Sequence, residues 1–207
     1  SRTFNFQESI LNSDGMIINY KELSEEQMFS LKSHYYIKCI IQMIFIGIIN
    51  PFFRNFIFDD NVVDFIKSIF VNNKLVSSDR SEVLSYSFME LFKQNFKGSV
   101  YDIVEELEES LRYYFKNEKM NIYKMNRKRD LIGLSNMLDN NSAFASKLLE
   151  IIDDDFFYTL RWFLVDDYGY GLRNMIAHRY NSKDSYRTQY SIYISLLILK
   201  LYMGFKV

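Results

Sequence analysis

The chain has 207 residues, of which 48% are apolar and 17% aromatic, and its net charge is −1. A chain of this length and composition can bury a sizeable core, which excludes intrinsic disorder and predicts one main domain. One proline and 7 glycines are too few for the many tight turns of an all-β protein. Because the net charge is nearly zero, any site for nucleic acid has to be local.

Cys39 is the single cysteine, so an intramolecular disulfide and a zinc site of paired cysteines are both excluded. We interpret Cys39 as a small core residue in a reducing compartment. The most apolar stretch, residues 39–49, is shorter than the roughly 20 residues that span a bilayer. We therefore predict a cytoplasmic protein without a membrane segment, a bound metal or a cofactor.

The first part of the chain predicts an arm followed by a long helix. Residues 1–22 lack a helical period, and the prediction for them is a weakly structured arm with at most a hairpin near residues 5–19. Ser24 and Gln27 have the spacing of a capping box, which predicts a helix start. Pro51 disfavours helical geometry in the residue before it, so this helix is expected to end near Asn50. His34 lies within it, and we assign it no role.

Apolar residues at helical spacing predict the rest of the bundle. A second helix should end at Asn72 and Asn73, a third should cover residues 80–96 with Gly98 as its stop, and Ser99 should cap the fourth. Further helices are expected over residues 131–138, 142–152, 154–166, 171–179 and 185–203. We predict an all-α helical bundle. The clearest stripe, in the fourth helix, consists of Val100, Val104, Leu107, Leu111 and Phe115.

Two segments are candidates for chemistry. Residues 116–130 are polar and form either a solvated loop or a patch that guides RNA, and the pattern leaves both readings open; the candidate cations among them are Lys124, Arg127, Lys128 and Arg129. Near the C-terminus, Asn174 and His178 lie one turn apart on a predicted helix, and the long side chain of Arg173 can reach the same side. Arginine, amide and histidine together suit phosphate chemistry. Alternatively, Arg173 pairs with Asp166 or Asp167, Asn174 caps a turn and His178 closes the helix.

Residues 169–178 resemble the signature of HEPN domains, a helical family with an Arg, a polar residue and a His on one helix. They look most like a bacterial family of unknown function whose signature runs G-x-N-L-R-N-x-x-A-H-G. Glu108 and Arg112 resemble the other recurring segment of that family, and residues 130–134, 153–155 and 164–166 match its preceding helices. In this chain Gly171 replaces the asparagine before the leucine, and Arg179 replaces the glycine after the histidine.

The resemblance covers residues 80–203 and implies a HEPN-like helical domain over residues 80–207, with residues 1–79 as an N-terminal helical extension. Active HEPN domains are metal-independent endoribonucleases, often toxins or antiviral (phage defence) effectors, that pair as dimers. The resemblance implies that His178 is the general acid or base, Arg173 holds the phosphate and Asn174 orients the histidine. Glu108 and Arg112 would support this site, and the product would be a 2′,3′-cyclic phosphate. The residues expected to contact RNA are Lys124, Arg127, Lys128, Arg129, Tyr170 and Arg179.

The resemblance further implies a homodimer through the motif helix, with RNA and an antitoxin or another protein as partners and no membrane contact. A second interpretation is a non-catalytic HEPN-like module that binds RNA, a nucleotide or a protein. A third is a structural helical domain attached to a catalytic part of a longer chain. The sequence leaves all three open.

Overall fold

A computed structural model describes residues 7–11, 17–22, 36–123, 130–166, 170–173 and 185–205. The chain divides into two compact units, Ser1–Ile40 and Ile41–Val207. The described residues are helical apart from one antiparallel hairpin and isolated bridges, which confirms the predicted all-α class.

The hairpin belongs to the first unit and consists of β1 (Gln7–Leu11) and β2 (Ile17–Glu22). Gln7 pairs with Glu22, and the register shifts between Ile10 and Leu11. This hairpin lies where the sequence predicts one and extends a few residues further. The capping box at Ser24 and His34 both lie outside the described residues.

Helix α1 (Tyr36–Asn55) continues past the point where we expected it to end. Its middle, Phe45–Ile49, is a π turn in which the backbone N–H of Asn50 donates to the carbonyl of Phe45. The α-helical turn Asn50–Asn55 follows, with Pro51 in its first positions. A proline in regular helix removes one hydrogen bond and clashes with the carbonyl four residues earlier. The wider π turn before Pro51 avoids that clash, so the prediction of an end at Asn50 is wrong.

One face of α1 is buried and the other is apolar and exposed. Ile49 and Phe53 pack with Ile192 in a small cluster of the second unit. Cys39 is exposed, so its interpretation as a core residue is wrong; it lies about 200° around the helix from buried Ile41. Among the described residues, α1 alone has the length and composition to cross a membrane, since its helix is longer than the run 39–49. The absence of a membrane segment therefore stays a prediction.

Three of the following helices begin where the sequence supplies a cap. Asp59, Ser142 and Asp153 each accept a hydrogen bond from the backbone N–H three residues later. The helices are α2 (Asp60–Phe70), α3 (Ser81–Phe92), α4 (Phe96–Asn117), α5 (Leu134–Met137), α6 (Ala143–Leu149), α7 (Asp154–Leu164) and α8 (Ser185–Gly204).

The break between α3 and α4 comes earlier than predicted. Gln94 has a φ of 68°, and the N–H of Asn95 donates to the carbonyl of Glu90. This is the Schellman ending of a helix, with glutamine at the position that glycine usually occupies. Gly98 is therefore inside α4 and not a stop. Ser99 does not cap α4, because its hydroxyl donates to the carbonyl of Asn95 within the helix.

The core of the second unit forms around α4, which packs on α3 and α8. All five residues of the predicted stripe are buried, which confirms it. Phe70, Phe88 and Tyr202 form an aromatic group in which the rings of Phe70 and Phe88 stack at 5.5 Å. Because Phe70 is in α2 and Phe88 in α3, the predicted domain boundary between residues 79 and 80 falls between two helices that pack on each other.

Candidate functional site

Arg173 and Glu108, which the sequence singles out separately, meet in the structure. Leu172 is buried and begins the helical turn that carries Arg173. The Nε of Arg173 donates to Glu108 Oε2 at 3.4 Å. Glu108 comes from the middle of α4, so the core helix holds the acidic partner of the motif arginine.

Arg112 fixes the same carboxylate from the other side. Its guanidinium donates to Glu108, to Glu109 and, through Nε, to the carbonyl of Ile132 at 2.8 Å. The side chains of Arg112 and Glu108 are 13% and 14% exposed, whereas that of Arg173 is 35% exposed. Glu108 and Arg112 therefore form the fixed part of the site, and Arg173 is its accessible cation.

The loop before α5 closes over this pair. A Cβ added to Gly133 would lie 3.8 Å from Glu108 Oε1 and 3.9 Å from Arg173 Nη2, which is ordinary van der Waals contact. The N–H of Ile132 donates to the carbonyl of Ile122 at 3.0 Å, and Tyr123 pairs with Leu131. Both ends of the basic segment are thus held beside Arg112, while the segment itself, residues 124–129, lies outside the described residues.

Gly171 gives the motif its backbone geometry. Its φ is +60°, in the left-handed region. Glycine and asparagine are the residues that adopt this region most readily. Glycine at position 171 therefore suits the left-handed conformation of this turn, as asparagine would.

Tyr170, a predicted RNA contact, is half-buried among aromatic rings. Its ring centroid lies 4.8 Å from that of Tyr190 and 6.2 Å from that of Phe163. Its backbone N–H donates to the carbonyl of Trp162. These contacts hold Tyr170, which precedes the helical turn of Leu172 and Arg173, against α7 and α8.

Of the two alternative acidic partners of Arg173, Asp166 is not the one observed. Asp166 pairs with Arg161 at 3.7 Å, and the acidic partner of Arg173 is Glu108. Asp167 lies outside the described residues, as do the predicted site residues Asn174, His178 and Arg179 and the four cations of residues 124–129. Within the described ranges, no group of three metal-ligating side chains is placed to hold a metal ion.

Sequence analysis missed a second polar group inside α4. Glu106 is 6% exposed and accepts a hydrogen bond from Arg80 Nη1 at 2.6 Å. Burial raises the pKa of Glu106, and the charge of Arg80 only partly opposes that shift. Its Oε2 has no hydrogen-bond partner among the described residues. Ser110 lies one turn after Glu106 in α4, and its Oγ accepts a hydrogen bond from the buried hydroxyl of Tyr202 at 2.9 Å. The sequence did contain a signal for this group, because Glu106 and Ser110 are one helical turn apart and lie beside the apolar stripe.

Comparison of the chain with protein-family models, with curated proteins and with solved structures finds no match. The resemblance to HEPN domains therefore rests on the motif residues themselves. The structure adds that Arg173 of the motif contacts the Glu108–Arg112 pair, which resembles the other recurring segment.

Proposed function

We propose that the chain is a metal-independent endoribonuclease of the HEPN type, in which Arg173 binds the scissile phosphate and His178 transfers protons. The observation that carries the proposal is the contact between Arg173 and Glu108. The carboxylate of Glu108 positions Arg173, whose side chain is 35% exposed, close to Gly133, shortly after the basic segment. Such a cation suits an anionic substrate.

The ion pair with Glu108 uses the Nε of Arg173 and leaves its terminal amino groups to bind a phosphate. Its Nε donates to Glu108, and the guanidinium carries two terminal amino groups that suit a phosphate. His178 removes the proton of the 2′-hydroxyl, whose oxygen forms a bond to phosphorus. The bond from phosphorus to the 5′-oxygen breaks, and that oxygen takes up a proton. The products are a 2′,3′-cyclic phosphate and a 5′-hydroxyl. Arg173 stabilises the charge that develops on the phosphate.

The charges around Arg173 determine where the attraction for RNA comes from. Two carboxylates, Glu108 and Glu109, balance Arg112 and Arg173, so this group has no net charge. Attraction over longer distances is therefore assigned to the basic segment 124–129, which has four cations in sequence.

Cleavage of RNA in excess EDTA tests the proposal. We expect the parent protein to cut single-stranded RNA but not DNA, because only RNA has the 2′-hydroxyl. His178→Ala should lower the rate roughly 10²- to 10⁴-fold, and Arg173→Ala should also abolish detectable cleavage. Arg161→Gln is the matched control, since Arg161 is a nearby paired arginine outside the motif. Equal loss in Arg161→Gln, or unfolding of the motif variants by circular dichroism, would contradict the assigned roles.

A non-catalytic module is the second candidate. The observation that favours it is the existing ion pair, because Glu108 already gives Arg173 the partner that a structural role requires. RNA or nucleotide binding by the parent without cleavage of any RNA would establish this alternative.

We also propose that the protein acts in the cytoplasm as a symmetric homodimer that pairs residues 171–180 of both copies, as a toxin or antiviral effector. Light scattering at micromolar concentration tests the dimer. A monomer that still cleaves RNA would rule out a shared site.

A further inference from the structure

A second site shares Arg112 with the group formed by Glu108 and Arg173. It is an open cavity of about 220 Å³ between α4 and the loop that precedes α5. Of the residues that the structure describes, three cations line it, Arg80, Arg112 and Lys116. The hydroxyl-bearing residues Ser77, Ser110 and Tyr113 and the acidic residue Glu109 also line it.

We propose that this cavity binds a phosphate group. Guanidinium, ammonium and hydroxyl groups are the donors that phosphate oxygens prefer, and here all three kinds converge on one space. The cavity is smaller than the roughly 300 to 1,000 Å³ of sites for drug-sized ligands. It therefore suits a phosphate with part of its sugar and leaves an attached base outside.

The charge balance identifies Lys116 as the cation that makes the cavity positive. Arg80 is paired with Glu106, and Arg112 with Glu108 and Glu109. Lys116 is exposed and has no ion pair among the described residues. Glu109, with its side chain 40% exposed, is the one carboxylate in the lining and opposes an anion there.

The position of the cavity links it to the basic segment. Ile122 and Leu131 form part of the cavity wall, and they flank the start and the end of that segment. A phosphate bound here would lie beside two residues that flank the most basic stretch of the sequence. The same chemistry serves an RNA backbone phosphate and the phosphate of a free nucleotide. The inference does not depend on cleavage, because binding is measured directly.

Calorimetry on the full chain tests the site, with inorganic phosphate and a ribonucleoside 5′-monophosphate as probes. Lys116→Gln should weaken binding about tenfold, the effect of losing one charge-assisted hydrogen bond. Glu109→Gln should tighten binding several-fold, because it removes the opposing charge. Lys74→Gln, at an exposed lysine away from the cavity, should leave binding unchanged.

A second measurement separates the two sources of phosphate. For a single-stranded RNA, Lys116→Gln should reduce the slope of log Kd against log salt by about one if the cavity holds a backbone phosphate. If the cavity holds a free nucleotide, Lys116→Gln weakens and Glu109→Gln tightens binding of the monophosphate. The slope of log Kd against log salt for RNA then does not change. The proposal is overturned if Lys116→Gln has no more effect than Lys74→Gln on any of these probes. Retention of these effects in Arg173→Ala would show that this site is separate from cleavage.

Discussion

Glu108 and Arg173 are 65 positions apart in the chain, yet the Nε of Arg173 donates to Glu108 Oε2 at 3.4 Å. Arg112 holds the other oxygen of the same carboxylate. One acidic side chain in the core helix thus positions two arginines, of which one is nearly buried and the other is accessible.

A double-mutant cycle on Glu108→Gln and Arg173→Gln should give a small coupling energy. Because Arg173 is partly exposed, we expect about 0.2 to 1 kcal/mol from urea unfolding. The cycle on Glu108→Gln and Arg112→Gln is the control, and its coupling should be larger because both side chains are mostly buried. A larger coupling energy for Glu108 with Arg173 than with Arg112 would mean that Arg173, not Arg112, is the structural partner of Glu108.

Glu106 should make stability depend on pH. Burial raises the folded-state pKa of Glu106 above its ordinary value of 4.5. Its contribution is therefore fully present below pH 4.5 and is lost as the pH rises through the folded-state pKa. Glu106→Gln keeps the side chain neutral and should not show this loss.

The measurement is the free energy of unfolding of parent and Glu106→Gln between pH 4 and 7. The parent should lose stability relative to the variant as the pH rises. Should it gain instead, the Arg80 ion pair outweighs burial and the pKa of Glu106 is lowered in the folded protein.

Gly171 should tolerate asparagine better than alanine. Its φ of +60° costs an ordinary L residue about 1 to 2 kcal/mol, and asparagine less. Thermal unfolding should therefore rank the parent first, Gly171→Asn second and Gly171→Ala last. Equal melting temperatures for the two variants would contradict a left-handed requirement at this position.

Lys119→Gly should stabilise the end of α4. Lys119 has a φ of 60°, and the N–H of Met120 donates to the carbonyl of Phe115, so Lys119 occupies the usual glycine position of a Schellman ending. Relief of the left-handed strain, less the added chain entropy of glycine, should contribute about 0.5 to 1 kcal/mol.

Gln94→Gly is the comparison for this variant. Gln94 has a similar φ, but its side chain donates to the carbonyl of Phe53, and glycine would lose that bond. Its gain should therefore be smaller than that of Lys119→Gly. A larger gain would mean that the bond to Phe53 contributes nothing.

The sequence predicts those features that depend on neighbours along the chain. The stripe of α4 follows from helical period, and the helix starts after Asp59, Ser142 and Asp153 follow from side chains that bond three residues ahead. The hairpin and the all-α class were also predictable. These features need only local geometry.

Features that depend on packing between distant elements were not predictable. The end of α3 has no glycine, and its Gln94 is held by a bond to Phe53, 41 positions away. The candidate site shows the same limit, since Arg173 and Glu108 were each singled out but their contact was not. Arg80, which precedes α3, pairs with Glu106 of α4, and the pair was missed because neither residue carries a local signal of its partner.

The π turn of α1 makes the helix intolerant of a one-residue deletion. In regular α-helix the twelve steps from Ile41 to Phe53 would leave their side chains about 120° apart, and one residue absorbed by the π turn reduces this to about 20°. Both residues are buried, as that alignment requires. Deleting one residue within Phe45–Ile49 would restore regular α-helix with Phe53 still aligned with Ile41, but it would place Pro51 inside that regular helix, where its ring clashes with the carbonyl four residues earlier. The length of this segment is therefore constrained by Pro51 and not by the alignment of Phe53.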